Sequence, residues 1–140
     1  MMVELPDSDA VRKLTEAVER LTGEYRKREP PGKPVGIVGR YSSSDTSYQK
    51  VVSWTVGQVW ERDHGRLDEV SMNSDKYDKT LFRLTVEGKI FFKDLQLQST
   101  LTLPFRPPNE LRRGEEVKIE CKSSDGTAII VTATITGREY

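Results

Sequence analysis

The chain has 140 residues with 22 basic and 22 acidic side chains, so its formal net charge is zero and any basic surface must be local. Its length suits one domain, and a hydrophobic fraction of 35% allows a modest core. The single cysteine, Cys121, excludes an internal disulfide and fits a reducing compartment. We find neither a signal-peptide pattern nor the roughly 18 consecutive apolar residues of a membrane helix, and we expect a cytoplasmic protein with no membrane partner.

Residues 1–28 are predicted to form an N-terminal amphipathic helix. Asp7 or Ser8 can cap its start, and two consecutive prolines at 30 and 31 end it. Apolar side chains recur at alternating spacings of three and four residues, which makes an a/d seam over two heptads: Val11, Leu14, Val18, Leu21 and Tyr25. The seam either packs on the protein's own sheet or forms a homodimer through a short coiled coil, which at this length needs help from the sheet.

The segment 29–47 is expected to be a linker followed by a polar loop. It begins with EPPGKP and ends with SSSDTS. Residues 35–41 between them form a short strand at most, because two glycines interrupt it. The β domain is accordingly placed at residues 48–140.

From residue 48 onwards the pattern predicts three hairpins in series. The first turns near His64, and the last turns at residues 124–126 and pairs Cys121 with Ile129. The proline-rich stretch 104–114 is expected to be irregular, because consecutive prolines exclude a ladder strand. About six or seven antiparallel strands with short turns predict a small OB-like β-barrel or a sandwich, and a bend in the central hairpin favours the barrel.

The chain is organised around the central hairpin, at residues 80–105. A two-residue turn at Glu87-Gly88 would split the apolar residues between the two faces of the sheet. A three-residue loop, with its glycine in the left-handed region, instead places Leu84 opposite Ile90 and makes one face fully apolar. A bulge near residues 93–94 would then return the later apolar residues to the core side.

Phe91 is the candidate binding residue. The preferred register places it on the outer face, beside Arg83, Lys89 and Lys93. Single-stranded nucleic acid needs such a surface, in which a ring stacks on a base and cations contact phosphates. The alternative is that the N-terminal helix or a partner covers Phe91. A second basic cluster in the proline-rich stretch either flanks a groove or lies in solvent: Arg106, Arg112 and Arg113.

No catalytic, metal or cofactor site is expected. His64 is the only histidine, and nothing places a serine nucleophile and an orienting carboxylate beside it. Cys121 lies on an apolar face and is expected to pack in the core. One Cys and one His cannot form a closed zinc site, and neither a calcium loop nor a glycine-rich phosphate loop is present. We therefore predict a protein that is not an enzyme.

Residues 111–119, LRRGEEVKI, form a turn, a glycine and a charged strand, and a further strand follows at 128–135. Over residues 50–137 the chain resembles the OB-fold modules of single-strand-binding proteins, in which a similar pattern enters a late strand. The helix that such barrels carry between the third and fourth strands has no counterpart here. The resemblance implies a barrel that binds single-stranded DNA or RNA on a sheet face.

Two functions are compatible with these patterns. The first is binding of single-stranded DNA or RNA, in which Phe91 stacks on a base and six cations contact the backbone: Arg83, Lys89, Lys93, Arg106, Arg112 and Arg113. The alternative is a non-enzymatic adaptor or structural subunit that uses the heptad helix and the sheet face for protein–protein contacts. Zero net charge favours this alternative.

Overall fold

A computed structural model describes residues 8–28 and 32–140 of the chain. Over this range the protein is mainly β, with eight strands after one N-terminal helix. The elements in chain order are α1 (Ser8–Arg28), β1 (Lys33–Ser43), β2 (Gln49–Thr55), β3 (His64–Ser74), β4 (Thr80–Val86), β5 (Lys89–Leu95), β6 (Leu101–Arg112), β7 (Glu116–Ser123) and β8 (Ile129–Glu139).

The strands form two antiparallel sheets of four strands each. Sheet A has the order β1-β8-β3-β6, and sheet B has the order β2-β7-β4-β5. The apolar faces of the two sheets share one core. The β domain is therefore a small sandwich, one of the two architectures expected from the sequence, and the OB-like closed barrel is not adopted.

The core follows from the alternation of side chains along each strand. β4 buries Phe82 and Leu84 while the residue between them faces outward, and β8 repeats the pattern along most of its length. Cys121 lies in this core, as its alternation with Val117 and Ile119 along the strand predicts. β2 buries the adjacent residues Val51 and Val52, because a bulge at this point breaks the alternation.

The helix α1 is 21 residues long. Three residues of its apolar seam, Val11, Leu14 and Val18, are 51%, 67% and 54% exposed. The side chains of the other two seam residues, Leu21 and Tyr25, lie outside the described ones. Self-association through this seam stays a prediction.

The expected series of three hairpins is wrong in two of its members. Among the described strands, β4 and β5 are the one consecutive pair joined by hydrogen bonds. β7 and β8 lie in different sheets, so Cys121 pairs with Gln49 and Phe82, and Ile129 pairs with Ser43. β2 and β3 are separated in the same way. Alternation identifies the buried face of a strand but not its neighbour, and an apolar face is satisfied equally well by packing across the core.

The assignment of residues 29–47 to a linker and polar loop is also wrong over β1. All 11 residues of β1 pair with β8, so the β domain begins well before residue 48. Gly39, which had suggested a broken strand, is needed for packing. A Cβ atom there would lie 2.0 Å from the carbonyl oxygen of Val51, so glycine lets β1 approach β2 and close one side of the sandwich.

The proline-rich stretch forms part of β6, contrary to expectation. β6 is an edge strand, and it pairs with β3 in two halves: Leu67 lies opposite Asn109, and Glu69 lies opposite Pro104. Residues 105–108, which include a cis peptide bond before Pro107, stand out of the ladder between these halves. Prolines are tolerated here because an edge or a bulge does not require their missing amide hydrogens.

The central hairpin forms with a different register at its tip. Val86 pairs with Lys89 around a two-residue turn in which Glu87 and Gly88 have φ values of 55° and 74°. This turn matches the twist of the strands, and that advantage decides the register. The expected pairing across a three-residue loop, with Leu84 opposite Ile90, is therefore wrong.

Two bulges in β5 restore the apolar pairing farther from the turn. Phe91 is an extra residue, so Leu84 pairs with Phe92. The bulge predicted at residues 93–94 is confirmed, since Asp94 has a φ of 55° and Phe82 pairs with Leu95. These bulges turn Phe91 away from the ladder.

Candidate binding site at the open sheet edge

β5 is the outer strand of sheet B. It pairs with β4 on one side, and no strand of the described chain pairs with its other side. Ile90 and Phe91 on this strand are 58% and 57% exposed. Because an edge strand also leaves main-chain amide and carbonyl groups unpaired, β5 offers a ligand both hydrogen bonds and apolar contact.

A groove of about 420 Å³ lies between β5 and the bulged part of β6. Phe91 and Phe105 pack edge to face, with ring centroids 5.4 Å apart, and together form one part of its wall. Arg106 and Asn109 are its polar lining residues. Its apolar walls are formed by Phe91, Leu103, Pro104, Phe105, Pro107 and Pro108. A side chain entering the groove therefore meets mostly hydrocarbon.

Three exposed cations lie on the two strands that border the groove. Lys89 and Lys93 belong to β5, and Arg106 belongs to β6. None of the three forms an ion pair with another residue in the described part of the chain. Together with Phe91 they are the predicted binding residues that the structure gathers at this edge.

Arg83 does not belong to this group, because Phe91 is bulged out rather than placed opposite it. Arg83 donates from Nε and Nη2 to the two carboxylate oxygens of Glu120, both at 2.9 Å. These hydrogen bonds raise the pKa of Arg83. Its guanidinium also lies 4.2 Å from the ring centroid of Tyr48. The guanidinium of Arg83 is therefore already paired with a carboxylate and is not available to bind a phosphate.

Tyr48 connects the start of β2 to the bulge in β5. Its hydroxyl donates to Asp94 Oδ1 at 2.5 Å and accepts from the Asp94 amide at 2.8 Å. Lys122 Nζ lies 4.6 Å from the Tyr48 ring centroid and 3.3 Å from Asp94 Oδ1. Burial, with the hydrogen bond to Asp94, raises the pKa of Tyr48 to about 12. The hydroxyl therefore keeps its proton at neutral pH and holds the bulge in place.

The second predicted basic cluster does not form one surface. Arg113 Nη1 lies 3.4 Å from Asp63 Oδ1, in an exposed ion pair. Arg112 lines a separate, polar cleft of about 660 Å³, together with His64 and Tyr140, whose rings stack at 5.4 Å. His64 thus begins β3 and does not sit in a hairpin turn.

Glu139 is a completely buried carboxylate that no sequence pattern singles out. It accepts hydrogen bonds from Trp54 Nε1 at 2.8 Å and from the amides of Val59 and Trp60 at 3.3 Å and 2.9 Å. Burial acts to raise the pKa of Glu139, but these donors outweigh burial and the pKa is lowered. The hydrogen bonds to this carboxylate hold the connection 56–63 against the core.

Cys121 is a free thiol buried between the sheets. Burial, with a smaller contribution from the charge of Glu120, raises its pKa to about 12. Across residues 8–28 and 32–140, no group of three or more His, Cys, Asp or Glu side chains is arranged to hold a metal ion. No helix in the same ranges combines the length and apolar character needed to cross a membrane.

The β6 half of the groove was not expected from the sequence. Alternation does place Leu103 and Phe105 on one face, but it carries no information on which strand lies beside them. The consecutive prolines indicate a break in the strand, whereas in the structure they form a wall of the groove.

No protein-family model matches the chain, and a search of curated proteins gives no match. Among solved structures, the chain is similar to part of dimeric latent PorU from Porphyromonas gingivalis, with a TM-score of 0.42 and 10% sequence identity. The match covers 77% of this chain and 13% of that chain. A likeness of this size carries no argument about the function of the present chain.

Proposed function

We propose that the protein is a non-catalytic docking module that binds an extended peptide along the open edge of β5. The observation that carries the proposal is this strand, which is unpaired on one side and exposes Ile90 and Phe91 beside an apolar groove. A peptide that adds a strand to a sheet edge gains affinity from main-chain hydrogen bonds and specificity from pockets for alternate side chains. The groove would receive one such side chain.

Single-stranded nucleic acid is the second candidate for the same edge. The exposed ring of Phe91 and the cations Lys89, Lys93 and Arg106 favour it. We place it second because the groove walls are apolar, because Arg83 is bound to a carboxylate, and because the net charge is zero. These features leave few cations to displace counterions from a phosphate backbone.

A peptide-display selection tests the docking function. Random 12-residue peptides would be selected on the wild-type protein and then measured on Phe91→Ser and on Val38→Ser, a control that removes a 69% exposed valine from β1. We expect selected peptides to bind wild type and Val38→Ser, to lose binding to Phe91→Ser, and to slow hydrogen exchange in β5. The proposal would be refuted if the selected peptides bound Phe91→Ser with the same affinity as wild type.

Fluorescence anisotropy tests the second candidate, with labelled mixed-sequence 20-mers in single-stranded and duplex form at low and moderate salt. Salt-sensitive binding of the single strand, weakened by roughly 1–3 kcal/mol in Phe91→Ala, would assign the edge to nucleic acid. An absence of binding at low salt, where electrostatic attraction is strongest, would remove this candidate.

We also propose self-association through α1 and a location in a reducing compartment. The apolar residues that recur at alternating spacings of three and four along α1 support self-association through this helix. The free thiol of Cys121 supports a reducing compartment such as the cytoplasm, which fractionation of cells expressing the tagged protein would test.

A further inference from the structure

We infer that the peptide accepted by the β5 edge is acidic and presents one bulky apolar side chain to the groove. This inference rests on the docking function proposed above and names the chemistry of the ligand.

The charges along the edge favour an acidic strand. Lys89 and Lys93 stand on either side of the exposed apolar residues of β5, and Arg106 lines the groove from β6. Asp94 is already engaged by Tyr48 and Lys122, and Glu87 in the turn offsets one of the three positive charges. The edge is therefore net positive, and opposite charges on neighbouring strands stabilise their pairing.

The groove selects a large apolar side chain. The rings of Phe91 and Phe105 form one part of its wall, and Pro107 and Pro108, which lack amide hydrogens, form another. Asn109 and Arg106 are its polar groups. A polar side chain placed among these rings would lose its water without gaining enough partners, whereas an aromatic or branched aliphatic one gains from burial.

A second copy of β5 is a poorer occupant than an acidic peptide. If two β5 strands paired antiparallel about Phe91, Lys89 of one chain would lie opposite Lys93 of the other at both ends of the pairing. Like charges directly opposite each other destabilise such a pair.

Three fluorescein-labelled nine-residue peptides test the inference by anisotropy on the full chain. Each alternates polar and apolar residues, with Phe at the centre and Val at the other apolar positions, and the polar positions are all Glu, all Gln or all Lys. We expect the Glu peptide to bind at least about threefold more tightly than the Gln peptide at low salt, from two or three favourable cross-strand pairs, and the Lys peptide to bind least.

Charge reversal provides the matched control. The order of affinities should invert in Lys89→Glu/Lys93→Glu and persist in Lys13→Glu/Lys50→Glu, which makes the same change of net charge at two other exposed lysines. Replacing the central Phe of the Glu peptide by Ala should weaken binding to wild type and change little in Phe91→Ser.

The possible outcomes separate the two proposals. Equal affinity for the three peptides, with binding still lost in Phe91→Ser, would overturn the acidic preference and leave the docking function in place. Failure of these peptides and of display-selected ones to bind in a Phe91-dependent way would overturn both. Displacement of the Glu peptide by single-stranded DNA at lower concentration than by unlabelled Glu peptide would reassign the edge to nucleic acid.

Discussion

Glu139 shows how one residue can fix a long connection between the sheets. Its fully buried carboxylate accepts hydrogen bonds from the buried indole of Trp54 and from two main-chain amides of the connection. The favourable hydrogen bonds therefore offset the cost of burying a charge.

Glu139→Gln is expected to lower the free energy of unfolding by about 2 kcal/mol, because an amide group replaces one acceptor oxygen and leaves a buried amide hydrogen unpaired. Urea unfolding at pH 7 measures the change. The exposed control Asp78→Asn should stay within about 0.5 kcal/mol of wild type. Coincident unfolding curves for Glu139→Gln and wild type would contradict this role.

The same carboxylate predicts the acid response. Because the pKa of Glu139 is lower in the folded protein, its contribution to stability is complete above the unfolded carboxyl pKa of about 4.3 and is lost as the pH falls below it. The stability of wild type should therefore decrease more steeply below about pH 4 than that of Glu139→Gln. Parallel pH profiles in urea would argue against this linkage.

Tyr48 precedes β2, at the edge of sheet B opposite β5, and its hydroxyl is hydrogen-bonded to Asp94 in β5. Tyr48→Phe removes both hydrogen bonds to Asp94, and we expect faster amide exchange around the bulge at a stability cost below about 1 kcal/mol, since the cluster is partly exposed. Tyr77→Phe, which removes a hydroxyl contact with Thr100, is the control.

The raised pKa of Tyr48, about 12, also predicts a response to alkaline pH. The contribution of the Tyr48 hydroxyl to stability is fully present below pH 10 and is lost as the pH rises through 12.

At the scale of elements, α1 carries the most direct prediction about association. Val11→Lys/Leu14→Lys places two charges in the exposed seam, and light scattering should show the mass of the assembly falling to that of the monomer. Glu16→Lys changes the net charge by the same amount on the opposite face of the helix and should leave the mass unchanged. A wild-type mass equal to the monomer would end the coiled-coil hypothesis.

A strand can be predicted from the sequence where its side chains alternate between apolar and polar, but not where its formation depends on its position in the sheet. β4, β7 and β8 were expected from their alternation, and the same residues are buried in the structure. For β1 the pattern predicts a short strand at residues 35–41 at most, because Gly36 and Gly39 interrupt it, whereas Gly39 in fact permits the close approach of β2 within a strand of 11 residues. The sequence does not predict β6, because consecutive prolines disfavour a paired strand and nothing in the sequence shows that this strand lies at an edge.

The site could be predicted only in part, because the sequence does not show which strands lie next to each other. The preferred register places Phe91 on the outer face, with cover by the N-terminal helix or a partner as the alternative, and the side chain is 57% exposed in the structure. The residues expected around Phe91 depend on the register of a three-residue loop. The two-residue turn at Glu87 gives a different register, so Arg83 lies beside Glu120 and not beside Phe91. The groove requires two edges from different sheets to meet, and periodicity within a strand says nothing about that.

At the scale of the whole molecule, Cys121 should report opening of the sandwich. It lies between the sheets, and its pKa of about 12 leaves almost no thiolate at pH 8. Its reaction with Ellman's reagent should be slow in the native protein and should accelerate with urea in proportion to the unfolded fraction. A rate independent of urea would mean that a local fluctuation exposes the thiol.

The two sides of the sandwich have different consequences for the behaviour of the protein in concentrated solution. One side is closed by the packing of β1 on β2, but the other presents the exposed side chains of Ile90 and Phe91 on an edge strand. Such a segment can template the stacked strands of amyloid, and flanking lysines oppose that process by repulsion between stacked copies. We therefore expect Lys89 and Lys93 to oppose fibre growth, and their replacement by glutamine should shorten the lag before thioflavin T fluorescence rises.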